Sequence, residues 1–234
     1  MSKTRLVGLF ALLGLFGLLL YQFGLFVMVV WLTFNNPNTS AFMRATLTEL
    51  RADNPNAKIA FEWVPYDRIS PNLKRAVVAA EDANFTGHNG VEWEAIKRAF
   101  EYNLQMADEG RSRMRGGSTI SQQLAKNLFL SGDRSYLRKG QELILTYMIE
   151  AVMSKKRILE LYLNIAQWGV NVFGAQAAAQ HYFKRNAAQL GSTQAARLAA
   201  MLPNPAYYDK RGNTTYLQSR TATLTRRMRM VDIP

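Results

Sequence analysis

The longest feature of the hydrophobic pattern is an uncharged stretch from Leu6 to Phe34, dominated by Leu, Phe, Val and Gly. About 20 apolar residues suffice to cross a bilayer, so this stretch is long enough for a membrane helix. A cleaved signal peptide would have a shorter apolar region followed by a small-residue cleavage site, whereas FNNPNTSAFMR follows here. The pattern therefore predicts a short tail and an uncleaved transmembrane anchor over residues 1–35.

The charges around this anchor predict its orientation. Lys3 and Arg5 precede the apolar stretch, whereas the basic residues Arg44 and Arg51 after it are offset by nearby acids. Because positive flanks stay in the cytoplasm, we expect a cytoplasmic amino terminus and the rest of the chain on the far side of the membrane.

Residues 36–70 show no extended periodicity. Turn-forming residues open the segment, three of the seven prolines lie between positions 51 and 72, and Lys58 to Val64 is a short candidate strand. We interpret this range as a juxtamembrane connecting segment that contributes no core.

From residue 71 onwards the apolar positions recur at helical spacing. The stripes are Leu73, Val77 and Ala80; Trp93, Ile96 and Phe100; Ile120, Leu124 and Leu128; with longer ones over 143–152 and 158–163. No internal repeat and no series of alternating strands is visible. The sequence predicts a mainly α protein whose domain over residues 71–234 follows a single transmembrane helix.

Composition and charge limit the possible partners and the possible catalytic or metal-binding groups. The formal net charge of +12 favours an anionic partner, which leaves nucleic acid, an acidic membrane surface and a phosphate-bearing substrate open. The chain has no cysteine and only two histidines, far apart in sequence. Disulfides, thiolate nucleophiles and cysteine zinc sites are therefore excluded, and no metal site is predicted.

Glu81 is the first candidate catalytic group. It lies four residues beyond Val77 and eight beyond Leu73, so it continues the apolar stripe and should face inward. Burial and the negative end of the helix dipole should raise its pKa and make it a proton acceptor. An ordinary helix end on the surface is the alternative. Asp82, one position further round the helix, should brace the loop through local hydrogen bonds.

Glu142 is a second acid in a contrasting setting. It follows Arg138 and Lys139 at the predicted start of a helix, and both the cations and the dipole favour its ionised form. Two acids in opposed environments are typical of acid–base chemistry at a glycosidic carbon, although many surface helices also begin with Glu.

The stretch RGGSTISQQLAKN, residues 115–127, predicts a ligand-facing helix start. Gly116 and Gly117 allow close backbone approach, and Thr119 with Gln122 has capping-box spacing. The start should offer free N–H groups to an anion, and Gln122 and Lys126 should share a polar face. A plain loop and helix cap is the alternative.

Taken together, these motifs resemble the monofunctional biosynthetic peptidoglycan transglycosylases of glycosyltransferase family 51. The resemblance covers almost the whole soluble part, in the family's order: EDANFTGHNG, GGSTISQQLAKN, RKGQE, KKRILELYLN and GAQAAAQHYF. The chain departs from it at Glu92, where Asp is common, and at Gln167, Val170 and Asn171, where Glu, Pro and Gly are common. These departures concern local loop shape and the acceptor site.

The resemblance implies residue roles. Glu81 would be the general base, and Glu142 would assist near the donor. Substrate-binding positions would be Lys126 and Arg134 at the donor pyrophosphate; Ser118, Gln122, Gln123 and Arg98 at sugar and phosphate; and Arg138 as a further charge. His88 should pack near Phe85, and His181 should be a packing residue.

The resemblance also implies a lysozyme-like helical glycosyltransferase domain that polymerises lipid II. The growing chain would be transferred with inversion onto the 4-hydroxyl of the acceptor N-acetylglucosamine, releasing undecaprenyl pyrophosphate. The enzyme would lie in a bacterial inner membrane with its domain in the periplasm and would contact membrane lipid and proteins of cell-wall synthesis and division, but no nucleic acid. No cofactor is required by the sequence, although Mg²⁺ or Mn²⁺ would be compatible.

Two other functions fit parts of the sequence. A lysozyme-like hydrolase or lytic transglycosylase would also use an inward Glu, but it would not need cations for a pyrophosphate. A membrane-tethered scaffold or nucleic-acid binder would use the net charge of +12. The basic runs at 111–115 and 226–230 are either solvated surface or contacts with anionic headgroups or the pyrophosphate.

Overall fold

The computed structural model describes residues 3–110, 116–130 and 135–234. Helix α1, Lys3–Phe34, is the predicted anchor. Its Thr4–Phe34 portion is long and apolar enough to cross a membrane, with a hydropathy of 2.2 and an 18-residue stretch that is almost entirely exposed, whereas Val29 and Leu32 near its carboxyl end are buried.

The rest of the described chain is mainly helical, as the periodicity predicts. The remaining helices are α2 (Ala41–Asp53), α3 (Pro71–Glu81), α4 (Trp93–Asp108), α5 (Ile120–Phe129), α6 (Tyr136–Val152), α7 (Lys155–Ile165), α8 (Ala175–Phe183), α9 (Ser192–Met201), α10 (Pro205–Arg211) and α11 (Thr215–Arg227). Two short strands, β1 (Ala60–Phe61) and β2 (Val172–Phe173), pair in parallel with Ala60 opposite Val172.

The core has two packed groups of helices that share one hydrophobic cluster. Helix α5 packs between α6 and α7, and α3 packs against α9 and α11. The fully buried side chains of Leu73, Val77, Ile120 and Leu124 lie where the predicted stripes of α3 and α5 face this cluster. The carboxyl end of α3 and the amino-terminal half of α5 are thereby brought side by side.

The prediction that residues 36–70 contribute no core is wrong. Residues 41–53 form helix α2, capped by the Ser40 hydroxyl, which accepts a hydrogen bond from the Met43 N–H. Met43, Val64, Tyr66 and Ile69 are buried in the main cluster. The prolines hid this contribution, because they end helices without preventing the side chains between them from packing inward.

The apolar stripe of Trp93, Ile96 and Phe100 lies on helix α4, as the spacing predicts, but it does not face the core. Trp93 and Phe100 are 60% and 63% exposed. Helix α4 packs instead through a small-residue contact, since a Cβ on Gly117 would lie 3.0 Å from the Ile96 Cα and 3.4 Å from the Ala99 Cβ. Close backbone packing on that side turns the aromatic stripe outward.

The anchor is joined to the domain by polar contacts. The side chains of Gln22 on α1 and Gln141 on α6 exchange two hydrogen bonds of 2.7 and 3.1 Å. Arg157 on α7 donates to the backbone oxygens of Leu32 and Asn35, which satisfies carbonyls at the end of α1. Helix α1 is therefore a docked part of the fold.

Candidate active site

Glu81 is the last residue of α3, where the sequence pattern places it. The helix starts at Pro71 behind the N-cap Ser70, and its buried stripe carries Glu81 to the edge of the core. Burial raises the pKa of the Glu81 carboxyl above its ordinary value. A hydrogen bond from Gln123 and the positive charges of Arg220 and Lys126 oppose part of that rise.

A chain of two hydrogen bonds orients the Glu81 carboxyl. The Gln123 side-chain nitrogen donates to Glu81 Oε2 over 2.9 Å, and the Tyr162 hydroxyl donates to Gln123 Oε1, also over 2.9 Å. An ionised carboxylate only accepts hydrogen bonds, so the Gln123 amide must present its nitrogen to Glu81 and its oxygen to Tyr162. Burial raises the pKa of the Tyr162 hydroxyl well above its usual value, which keeps it a donor.

Asp82 has a wider role than bracing its own loop. It is buried, and its Oδ2 accepts the backbone N–H of Ile120, the first residue of α5, over 3.0 Å. His88 Nε2 lies 2.9 and 3.0 Å from the two Asp82 oxygens. Asp82 thus ties the end of α3 to the start of α5, which fixes Glu81 relative to Gln123.

The expectation of free N–H groups at the start of α5 is therefore wrong. Asp82 accepts a hydrogen bond from the Ile120 N–H, and the Thr119 hydroxyl accepts one from the Gln122 N–H over 3.2 Å. The predicted capping box is confirmed, because Gln122 Oε1 accepts the Thr119 N–H over 3.0 Å. The Gln122 side chain is buried, and its amide oxygen is engaged in this cap.

Asp82, His88 and Glu92 place possible metal-ligand atoms within 4.8 Å of one another. His88 Nδ1 accepts the Gly90 N–H over 3.1 Å, so the ring proton resides on Nε2 and points at Asp82. A metal ion would have to displace this proton and the Ile120 N–H. The three residues fit a hydrogen-bonded support better than a metal centre, and His88 packs edge-on to Phe85, as expected from the sequence.

A cationic cluster lies around Glu142. The Glu142 carboxylate is buried and forms ion pairs with Arg138 Nη1, at 3.2 Å, and with Lys139 Nζ. Lys139 Nζ also donates to the exposed hydroxyl of Ser118 over 3.3 Å. Glu142 lies in the second turn of α6 and not at its start, since the helix begins at Tyr136 behind the N-cap Ser135. The two cations, rather than the helix terminus, are its partners.

Lys126 on α5 links this cluster to Glu81. Burial lowers the pKa of the Lys126 ammonium, while the carboxylates of Glu142 and Glu81 act in the opposite direction. The site therefore combines a desolvated carboxyl with several positive charges.

The remaining predicted residues lie elsewhere or outside the described ranges. Arg98 is exposed on α4 and pairs with Glu92 over 3.1 Å, and the structure gives it no contact with Glu81 or Glu142. Arg134 and the basic run 111–115 lie outside the described residues. His181 is not a packing residue, because its side chain is 44% exposed and pairs with Asp209 over 2.9 Å.

Two residues of the site were missed by sequence reasoning. Tyr162 was counted only as part of an apolar stripe on α7. Arg220 on α11 donates to the Ala80 oxygen over 3.5 Å, and within the described ranges its buried Nε has no hydrogen-bond partner. Arg220 is 139 positions from Glu81 in sequence (220 − 81), and only the packing of α11 on α3 brings the two together.

Comparison with known proteins finds matches over nearly the whole chain. Residues 46–229 match the family model described as Transglycosylase, and the matched range begins inside α2. A relative from Bordetella pertussis is 68% identical over 216 residues, covering 92% of this chain and 89% of the relative. Relatives from Bordetella avium and Laribacter hongkongensis are 65% and 52% identical, covering 97% and 100% of this chain and 93% and 100% of their own lengths. All three are named biosynthetic peptidoglycan transglycosylase.

Proposed function

Because the chain belongs to the transglycosylase family and is a peptidoglycan glycosyltransferase acting on lipid II and the growing glycan chain, we propose that Glu81 is its general base. The observation that carries this assignment is the partly buried Glu81 carboxyl, which Gln123 restrains on one side and which lies within the field of Lys126. A base with a raised pKa and a cation for the leaving group are the two groups that this transfer needs.

In the proposed step, Glu81 takes the proton from the 4-hydroxyl of the acceptor N-acetylglucosamine. The freed oxygen attacks the anomeric carbon of the growing chain, and the bond from that carbon to the diphosphate oxygen breaks. The configuration inverts, the proton stays on Glu81, and the electron pair leaves with undecaprenyl pyrophosphate. Base catalysis of this kind contributes about 100- to 10,000-fold.

The departing diphosphate gains negative charge, which Lys126 and the cations held by Glu142 would stabilise. Arg138 and Lys139 are oriented by one buried carboxylate, so their positive groups are fixed before the substrate arrives. Gln123 donates a hydrogen bond to Glu81, and the Ser118 hydroxyl accepts one from Lys139. In this proposal both residues orient the groups that act on the substrate. Arg134 remains a predicted diphosphate ligand.

The same cluster argues against a lysozyme-like hydrolase. Cleavage of a sugar–sugar bond requires an acid that protonates the leaving oxygen. The second buried acid, Glu142, is occupied by two cations and is placed to hold positive charge near a phosphate. A protein that only binds polyanions would not require a carboxyl that is restrained as Glu81 is.

We place the domain against the outer surface of the inner membrane, with the amino terminus in the cytoplasm. Apolar side chains near the site support this placement, since Leu104 is 51% exposed on α4 and Tyr136 and Leu137 are 98% and 89% exposed at the start of α6. Together with Trp93 and Phe100, they would enter the bilayer beside the lipid-linked substrate. Since the Asp82, His88 and Glu92 group does not favour a metal ion, any Mg²⁺ or Mn²⁺ would be held through the substrate's diphosphate.

The test is to incubate the purified protein with labelled lipid II and, separately, with finished glycan. We expect glycan polymer from lipid II and no cleavage of finished strands, and we expect Glu81→Gln to lose polymerisation while the protein still binds lipid II. Polymerisation at the parent rate by Glu81→Gln would overturn the assignment of the base. Release of fragments from finished glycan would favour the hydrolase.

A further inference from the structure

A second cationic site lies in a surface cavity between α2 and β1. Its volume is about 470 Å³, within the size range of small-ligand sites. Arg44, Arg51 and Lys58 line it, and Leu47 and Phe61 form apolar parts of its wall. Among the described residues, none of those assigned to glycan transfer lines it.

The charges around this cavity are segregated by the geometry of α2. A helix turns about 100° per residue, so Arg44, Leu47 and Arg51 share one face while Glu49 and Asp53 point to the opposite side. Side chains alternate across an extended segment, so Glu62 points away from the side of Phe61. The lining consequently contains three cations and no carboxylate.

The cavity is built from restrained backbone. Arg51 Nε donates to the Ala57 oxygen over 3.3 Å, and the Asn171 side chain donates to the Lys58 oxygen over 2.9 Å. The turn between α2 and β1 is therefore tied both to α2 and to the segment that precedes β2. Lys58 and Arg51 face the cavity from fixed positions, while their side-chain ends stay exposed.

The cavity also lies close to the membrane surface. Asn38 belongs to its lining and is only four residues beyond Phe34, the last residue of α1. Four residues span at most about 14 Å. Trp31 and Phe34 are exposed at this end of the anchor, and Trp is enriched at membrane–water interfaces. A cavity at that distance reaches the level of the lipid headgroups.

We propose that this cavity binds the phosphodiester headgroup of an anionic glycerophospholipid from the leaflet that faces the domain. The phosphate would lie between Arg44, Arg51 and Lys58, and the glycerol and upper acyl carbons would contact Leu47 and Phe61. Binding there is separate from the transfer reaction, because it uses neither Glu81 nor the cluster around Glu142. The bound lipid would hold α2 at the membrane surface and would set the distance between the domain and the bilayer.

The test uses the full chain in lipid nanodiscs that contain a trace of a photoreactive phosphatidylglycerol. After irradiation, mass spectrometry counts the adducts on peptides from residues 38–61. The Arg44→Gln, Lys58→Gln double variant should lose these adducts roughly 25-fold, since each cation beside an anionic surface contributes about fivefold. The matched control is Arg226→Gln with Arg227→Gln, which removes two exposed cations elsewhere and should keep the adducts at 38–61.

Both variants should polymerise lipid II in detergent at the parent rate, which shows that they are folded. Unchanged adducts in the Arg44→Gln, Lys58→Gln protein would overturn the proposal. Equal adducts from a photoreactive phosphatidylcholine would overturn it as well, because that headgroup carries no net charge. Displacement of the lipid probe by millimolar inorganic phosphate would assign the cavity to a free anion and not to a lipid.

Discussion

Gln123 donates a hydrogen bond from its side-chain amide to Glu81 Oε2 over 2.9 Å. The orientation of the Gln123 amide is fixed, because its oxygen accepts a hydrogen bond from the Tyr162 hydroxyl. It favours the ionised form of a carboxyl whose burial favours the neutral form. The balance between these two effects sets the pH at which Glu81 can accept a proton.

Removal of this restraint should move the acid limb of the pH–rate profile. In Tyr162→Phe the Gln123 oxygen loses its donor, the amide is no longer held with its nitrogen toward Glu81, and the pKa of Glu81 rises further. We expect the acid limb of kcat/KM to shift to higher pH. The rate should recover at higher pH. The exposed Tyr207→Phe is the control; a uniform loss of rate without a shift would mean that Tyr162 only supports the fold.

Lys126 should produce the alkaline limb of the same profile. Burial lowers the pKa of its ammonium, so the charge that stabilises the leaving diphosphate is lost at a lower pH than for an ordinary lysine. In Lys126→Arg the guanidinium stays charged, and the alkaline limb should move up or disappear. Lys126→Met should lower kcat about 100-fold or more at every pH. Rate against pH for both variants is the measurement, with the exposed Lys97→Met as the control; an unmoved alkaline limb in Lys126→Arg would contradict this role.

Asp82 should matter for stability and for the placement of Glu81. Asp82→Ala leaves the Ile120 N–H and the His88 ring without their acceptor in a buried region, which costs about 1–3 kcal/mol for each unsatisfied group. We expect a lower midpoint in thermal unfolding and a loss of kcat larger than any change in KM. Asn84→Ala, at an exposed position of the same loop, should show neither effect. Unchanged stability of Asp82→Ala would show that α3 and α5 are held together by other contacts.

Asp209 should make a pH-dependent contribution to stability. Burial acts to raise its pKa, but the Val170 N–H and the donors on Tyr182 and His181 outweigh it, so the pKa lies below the ordinary value. A group whose pKa is lowered by folding stabilises the protein above its unfolded-state pKa, and this stability is lost as the pH falls through the folded-state pKa. Asp209→Asn should therefore unfold more easily than the parent at neutral pH, and the difference should shrink at acidic pH. Chemical denaturation at both pH values tests this, and a constant difference would be evidence against it.

The sequence predicts the positions of individual site residues better than it predicts the contacts between residues distant in sequence. The spacing of Leu73, Val77 and Glu81 places Glu81 correctly at the inward-facing end of α3, because periodicity along one helix is a local property. The capping-box spacing of Thr119 and Gln122 is also confirmed. This spacing already implies that the Gln122 side-chain oxygen accepts a hydrogen bond from the Thr119 N–H. Glu142 and its two cations are close in sequence and on one helix, so their pairing follows from helical geometry.

The errors arise where the partner lies outside the local sequence. Arg220 reaches Glu81 only through the packing of α11 on α3, and Asp82 bonds to the start of α5, 38 positions further along the chain and beyond α4. Trp93 and Phe100 repeat with helical spacing, but periodicity cannot distinguish a face that meets the core from one that meets lipid. Residues 36–70 lack periodicity yet supply Met43 and Tyr66 to the core, since burial there depends on what surrounds them.

The docked end of α1 has a consequence for how the protein is handled. A version shortened to residues 36–234 would remove Gln22, the partner of Gln141, and the Leu32 and Asn35 oxygens that accept from Arg157. It would also uncover the surface against which Val29 and Leu32 are buried. Such a fragment would be prone to aggregation in water even though every group assigned to the chemistry is intact. A cut ahead of Tyr21 keeps the docked half of the helix, so fragments that begin there should remain monomeric in mild detergent where shorter ones precipitate.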